Sequence, residues 1–260
     1  MRCDLAGKVS LVTGAARGIG QAIADALAAN GSRVVYTDLD EAGTRAAAAR
    51  SPGSLARVLD VTRPEQVEEV IAWTVATCGS LDVLVNNAGV NTMAHRVAID
   101  QFPRAEWDRL IGVDLTGLFD VSRFGARAMR AQGSGRIINI ASIAGLVPLR
   151  LQCAFVAAKA GVINLTKAMA LELGPRGILV NGIAPGSTLT EGTRQLFYGE
   201  GGKFHDSVQQ MIAHIPLGRP GEVGEIAVAA LFLADPENSY MNGHILTVDG
   251  GWTAGFARDF

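Results

Sequence analysis

The segment SIAGLVPLRLQCAFVAAKAGVINLT, residues 142–166, carries a hydroxyl at Ser142 and an ammonium at Lys159, each set among small residues. Four residues before Lys159 stands Phe155. On a helix, positions i and i+4 share a face, so the ring and the ammonium are neighbours there. Acid–base work beside a lysine calls for a hydroxyl at that position, and phenylalanine has none. The segment reads as a catalytic helix with its main reagent missing.

A second chemical signal lies near the N-terminus. VTGAARGIG places Gly14, Gly18 and Gly20 after an apolar strand and at the opening of a helical pattern. Glycines allow a tight turn and close backbone approach to a pyrophosphate, and the helix N-terminus offers free N–H groups and a favourable dipole. Gly makes up 31 of 260 residues, so the triplet alone is weak; the strand–turn–helix context carries the reading. Asp38 closes the next strand, 18 residues after Gly20. A carboxylate there accepts hydrogen bonds from ribose hydroxyls and repels a 2′-phosphate. No Arg follows it in TDLDE, so NAD is expected rather than NADP.

Positioning these groups requires a scaffold, and the rest of the chain supplies one. Apolar β-rich runs at VSLVTG, RVVYTD, LARVLDVT, LDVLVNNAG, GRIINIAS, ILVNGIAPG and HILTVDGG alternate with longer helical patterns. Continuous apolar strands between helices predict a buried parallel sheet covered on both faces. The fold class is α/β: a Rossmann-type doubly wound parallel sheet of about seven strands, with right-handed crossovers. Residues 1–260 read as a single dinucleotide-binding and catalytic domain, with DRLIGVDLTGLFDVSRFGARAMRAQG as one long helical stretch. One long irregular insert follows the sixth strand, and its 187–215 portion reads as a substrate-binding lid.

Composition excludes other classes. Hydrophobic residues are 48% and charged residues 18%, which indicates a globular chain. With a net charge of −2 and no block of like charge, neither nucleic acid nor a membrane surface is an expected partner. Cys3, Cys78 and Cys153 are odd in number, far apart and without metal-ligand spacing, which fits a reducing cytoplasmic location and no metal. No run of consecutive apolar residues approaches membrane-spanning length, and no leader pattern opens the chain.

TGAARGIG (13–20), LDVT (59–62), NNAG (86–89), VDLTG (113–117), IINIAS (137–142), the Phe155–Lys159 pair, PG (185–186) and DGG (249–251) occur in one order and spacing. In this set the sequence resembles the short-chain dehydrogenase/reductases over nearly its whole length, and among them the NAD-dependent sugar and polyol dehydrogenases. The resemblance implies that Gly14, Arg17, Gly18, Ile19 and Gly20 line the phosphates and that Asp38 holds the adenosine ribose. It puts Asp60 and Val61 beside the adenine, and Asn87, Ala88 and Gly89 along the middle of the cofactor. Lys159 would hydrogen-bond the nicotinamide ribose, the segment from Pro185 and Gly186 to Thr188 would close over the carboxamide, and Ser142 would polarise the substrate oxygen. The implied reaction is hydride transfer between a secondary alcohol carbon and the nicotinamide. The implied assembly is a homotetramer, with helices near 104–131 and 154–174 at one interface and the last strand at another; the tail GWTAGFARDF, with two aromatics around Arg258, is expected to dock on a neighbouring subunit.

Two positions depart from the family pattern. The family carries a tyrosine where this chain has Phe155; the lysine lowers that phenol's pKa and makes it the acid–base group. Its loss removes on the order of 10²–10⁴ in rate. The family usually has asparagine where this chain has Asp114; a carboxylate there pairs with Lys159 and still holds a water. Three readings of Phe155 stand open: a Tyr-to-Phe replacement in an otherwise intact dehydrogenase, an NAD-binding pseudoenzyme or regulatory module, or an enzyme with another proton source. The intact remainder favours the first.

The substrate is less legible. Residues 90–96, 145–153 and the insert should line its pocket, with Asn91, Arg150, Gln152 and Arg194 as polar candidates. A polyol, sugar or sugar acid suits them, and either arginine suits a carboxylate. Each arginine reads equally well as a solvated loop residue. The mixed character of RQLFYGEGGKF leaves a 3-oxoacyl or steroid-type ketone as an alternative.

Overall fold

A computed structural model describes residues 2–92, 95–190 and 206–255. Strands β1 (Val9–Thr13), β2 (Arg33–Asp38), β3 (Leu55–Val58), β4 (Val83–Asn86), β5 (Gly135–Ile140), β6 (Ile178–Pro185) and, further on, Ile245–Val248 form one sheet. All its pairings are parallel. Its order is β3-β2-β1-β4-β5-β6 with Ile245–Val248 at the far edge, the expected seven-stranded doubly wound sheet. The order reverses between β1 and β4, and that is where such sheets open a crevice at their carboxyl ends.

The strands are apolar throughout because both faces are covered. Successive side chains point to opposite faces, and the core divides accordingly. Val12, Val83, Val85, Ile138 and Ile183 pack with Ile23 and Leu27 of α1 (Gly18–Ala29). Leu11, Leu84, Ile137 and Val180 face the other way, toward Val70 of α3 (Pro64–Cys78) and Val121 of α5 (Leu118–Gln132). Helix starts and stops follow local chemistry. Between β2 and β3, α2 (Glu41–Ala49) is capped by Asp40, which accepts from Gly43 N. Pro64 opens α3, and Gly79, at φ 93°, closes it.

Two expectations are corrected. The long helical stretch after β4 is interrupted: α4 (Arg104–Ile111) passes into a π-helical turn at Gly112–Gly117 before α5. The turn brings Gly117 against Val61, whose Cγ2 lies 2.8 Å from where a Cβ would stand. The described parts of the insert also carry regular elements. After β6, β7 (Thr188–Leu189) pairs in parallel with β8 (Gly221–Glu222), and α7 (Asp206–Ile212) lies between them in sequence. By length and composition alone, the run Cys153–Arg176 is also long and apolar enough to cross a membrane. In the fold, α6 (Cys153–Leu173) within that run packs on β6 and the core, with Ala158, Val162 and Ile163 buried, as a core helix does.

Candidate active site

The turn after β1 is shaped by its glycines. Gly14 (φ +65°) and Gly18 (φ +62°) adopt left-handed backbone that favours glycine. A Cβ on Gly14 would lie 2.9 Å from Ala88 Cα, and one on Gly20 would collide with Gly14 O and Asn87 Nδ2. Asn87 locks this turn: its Nδ2 donates to Thr13 O and Gly14 O, both at 3.0 Å. Thr13 Oγ1 accepts from Asn87 N and Ala88 N, each at 3.0 Å. Asn87 is thus bound into the glycine turn itself, and Thr13 is a positioning residue that sequence reading passed over. Arg17, exposed at the N-cap of α1, makes no side-chain cap, and α1 has no acidic residue in its first turn. The first N–H groups of α1 are therefore left for an anion, with half-buried Ile19 beside them.

Asp38 ends β2 beside this turn. Its two oxygens accept from Ala16 N at 3.2 Å and Asp40 N at 3.1 Å. Each carboxylate oxygen keeps a lone pair for a further donor. Asp60 accepts from Thr62 N and Thr62 Oγ1, so it forms its own turn beside buried Val61. On the other side of the crevice, β6 ends at Pro185, and Gly186 N donates to Val248 O at 2.9 Å. Buried Thr188 donates from Oγ1 to Gly186 O. The segment then reaches the glycine turn: Thr190 Cγ2 is 3.4 Å from a Cβ built on Gly18. Turn, uncapped helix and Asp38 together fit a dinucleotide.

The reactive groups converge at the carboxyl ends of β4 and β5. Lys159, with its side chain 7% exposed, reaches back from α6 to donate to Ile140 O at 3.2 Å. Ser142 lies two residues beyond Ile140, and its Oγ accepts from Ala144 N at 3.1 Å at the start of a short 3-10 turn. That turn rests directly on α6: a Cβ on Gly145 would stand 2.6 Å from the Lys159 carbonyl carbon. Asp114, carried in by the π turn, accepts from Val90 N at 2.7 Å and sits 3.3 Å from Lys159 Nζ. The expected carboxylate–lysine pair is therefore formed. The Phe155 ring centre lies 5.7 Å from the same Nζ. An ammonium and a carboxylate meet here, the Ser142 turn packs on the backbone of Lys159, and the aromatic ring near the ammonium has no ionisable group.

The family model described as enoyl-(acyl carrier protein) reductase matches residues 14–253. The chain belongs to the short-chain dehydrogenase/reductase family. Members of this family are oxidoreductases that work with a nicotinamide cofactor. The 3-oxoacyl-[acyl-carrier-protein] reductase FabG of Vibrio cholerae is 39% identical over 249 residues, covering 95% of this chain and 98% of that protein. The trans-4-hydroxycyclohexanecarboxylate dehydrogenase of Sinomonas cyclohexanicum is 43% identical, covering 96% and 95%. Among solved structures, levodione reductase superposes with a TM-score of 0.89 at 33% identity, covering 96% of this chain and 99% of that one.

As a short-chain dehydrogenase/reductase, the chain has a substrate side of uneven definition. Gln152 is buried at the N-cap of α6, while Arg150 is exposed on the loop before it. Asn91 is exposed, and its carbonyl accepts from Arg109 Nη2 at 3.2 Å. Arg194 lies outside the described residues, as do most of the 187–215 lid and the tail beyond Gly255. Sequence reading also missed a buried relay beneath the site. Asn86 Nδ2 donates to Asn139 Oδ1, and Asn139 Nδ2 donates to Thr166 Oγ1, which joins β4, β5 and α6. The signal available for it was polar Asn in otherwise apolar strands.

Proposed function

We propose that this protein binds NAD together with a secondary alcohol or its ketone, in an arrangement built for hydride transfer whose proton relay is interrupted at Phe155. The observation that carries the reading is the set of Lys159 contacts. The ammonium is held by Ile140 O and Asp114, the Ser142 turn packs on its backbone, and a phenyl ring stands one helical turn away. The groups that would hold the nicotinamide end of a cofactor surround a position with no hydroxyl.

When bound, the nicotinamide supplies or accepts the hydride. Lys159 would hold the adjacent ribose, and the Pro185–Thr188 segment would cover the carboxamide. Ser142 Oγ, oriented by Ala144 N, donates to the substrate oxygen and stabilises the charge that develops there. Orientation and polarisation are thus retained, whereas the proton has no ionisable partner at position 155. The NAD preference rests on Asp38 and on the lack of a cation following it.

For the substrate we favour a hydroxylated ring bearing a carboxylate, such as a sugar acid or a cyclic hydroxy acid. The exposed Arg150 guanidinium before α6 supports this, as does the ring alcohol named for the Sinomonas relative. A homotetramer is supported by apolar side chains left exposed on α5 and α6, Phe119 and Leu171.

The test is Phe155→Tyr, assayed for NAD reduction with sugar acids, cyclic hydroxy acids and their uncharged lactones or esters. The activity kcat/KM should rise by about 10² or more, with acids preferred over neutral counterparts. If NADH binds and no turnover appears after the hydroxyl is restored, the protein is an NAD-binding module and the dehydrogenase reading fails.

A further inference from the structure

Asp114 stands where a carboxylate has an electrostatic consequence beyond holding Lys159. Its side chain is fully buried, with 0% exposure. Oδ1 is occupied by Val90 N, whereas Oδ2 makes no hydrogen bond and lies 3.3 Å from Lys159 Nζ. A Cβ on Gly89 would be 3.4 Å from both Oδ2 and Nζ, so the two charged heads border the exit of β4 against a residue with no side chain. The other charges nearby are already paired: Arg109 is held by Glu106 at 2.7 and 2.8 Å.

The direction of a bound dinucleotide follows from the sheet. Asp38 and β2 define the adenosine side of the reversal between β1 and β4. The other half of the molecule must then cross the ends of β4 and β5, where Lys159 and Asp114 sit. Oxidised nicotinamide carries a full positive charge, and the reduced ring carries none. A lone lysine beside that ring disfavours the oxidised form. A carboxylate in contact with the lysine cancels this, and away from bulk water the cancellation acts through an effective dielectric nearer 20 than 80.

We propose that Asp114 tilts this site toward the oxidised cofactor. It neutralises the Lys159 charge at the nicotinamide end, so the resting protein holds NAD+ in preference to NADH and is poised for alcohol oxidation. The inference rests on the cofactor reading above and adds to it a residue that selects the redox state.

The experiment is calorimetric titration of the unchanged chain and of Asp114→Asn with NAD+ and NADH, each variant checked by thermal melting. In the unchanged chain NAD+ should bind at least as tightly as NADH. In Asp114→Asn the ratio Kd(NAD+)/Kd(NADH) should rise about tenfold, which raises the potential of the bound couple by about 30 mV. An unchanged ratio overturns the proposal. So does a tenfold preference of the unchanged chain for NADH, which decides the matter even if Asp114→Asn does not fold. Failure of both nucleotides to bind refutes the cofactor reading; binding of both with an unaltered ratio refutes the role of Asp114 alone.

Discussion

Lys159 and Asp114 form a buried ion pair, Nζ to Oδ2 3.3 Å, that ties α6 to the π turn between α4 and α5. Asp114 is fully buried and Lys159 nearly so, so removing one leaves the other uncompensated. Lys159→Ala should destabilise the fold by about 3–5 kcal/mol. Adding Asp114→Asn to it should recover a large part of that loss, because the stranded charge disappears with it. Urea denaturation of the two single variants and the double variant measures the coupling. Strict additivity would mean that the pair contributes nothing.

Asn87 holds the glycine turn through two carbonyls, Thr13 O and Gly14 O. Asn87→Ala removes both donors and should cost about 1–3 kcal/mol. The turn also shapes the phosphate cradle, so NADH affinity should fall with it. Denaturation and fluorescence titration report the two effects separately. Lost stability with full affinity would show that the cradle holds its shape without Asn87.

Asp38 should decide between the two nicotinamide dinucleotides. NADH should bind the unchanged chain more tightly than NADPH, because the carboxylate faces any 2′-phosphate as a like charge. Asp38→Ser removes that repulsion and should shift the NADPH-to-NADH affinity ratio by about tenfold or more toward NADPH. Tighter NADPH binding by the unchanged chain would reverse the assignment.

The start of α8 (Val223–Ala234), downstream of β8, carries an acid-sensitive clasp. Arg219 grips Glu225 in a two-pronged contact at 2.9 and 2.7 Å, and Glu225 also accepts from Glu222 N. Arg219 first, and that backbone bond second, hold the Glu225 carboxyl down to about 2. Unfolded, a glutamate titrates near 4.3. A depressed folded pKa gives stability that is present above the unfolded value and is lost as pH falls toward the folded one. Arg219→Met should therefore lower Tm at pH 6–7, and the difference from the unchanged chain should fade between about pH 4.5 and 2. The pair is half exposed, so the effect is small and weakens with salt. A Tm difference that persists at pH 2 would rule out the ionic origin.

Much of this protein was legible from residue order alone, for physical reasons that are local. Strands buried on both faces must be apolar throughout, so seven such runs between helical patterns announced the doubly wound sheet. A glycine turn before a helix and an acid closing the next strand lie within one βαβ unit, so Gly14, Gly18, Gly20 and Asp38 were readable without tertiary information. The i, i+4 spacing put Phe155 beside Lys159.

Other features exist only through contacts between distant segments. The π turn that buries Asp114 depends on Gly117 meeting Val61, 56 residues earlier in the chain. The Ser142 turn lies on Lys159 because Gly145 lacks a side chain at that contact. Asn87 is bound to the glycine turn through Gly14 O, and Asn139 links β5 to α6. Sequence determined which chemical groups were available and which elements would carry them. Tertiary packing decided which of those groups meet, because burial, charge pairing and close backbone approach belong to pairs of segments and to neither one alone.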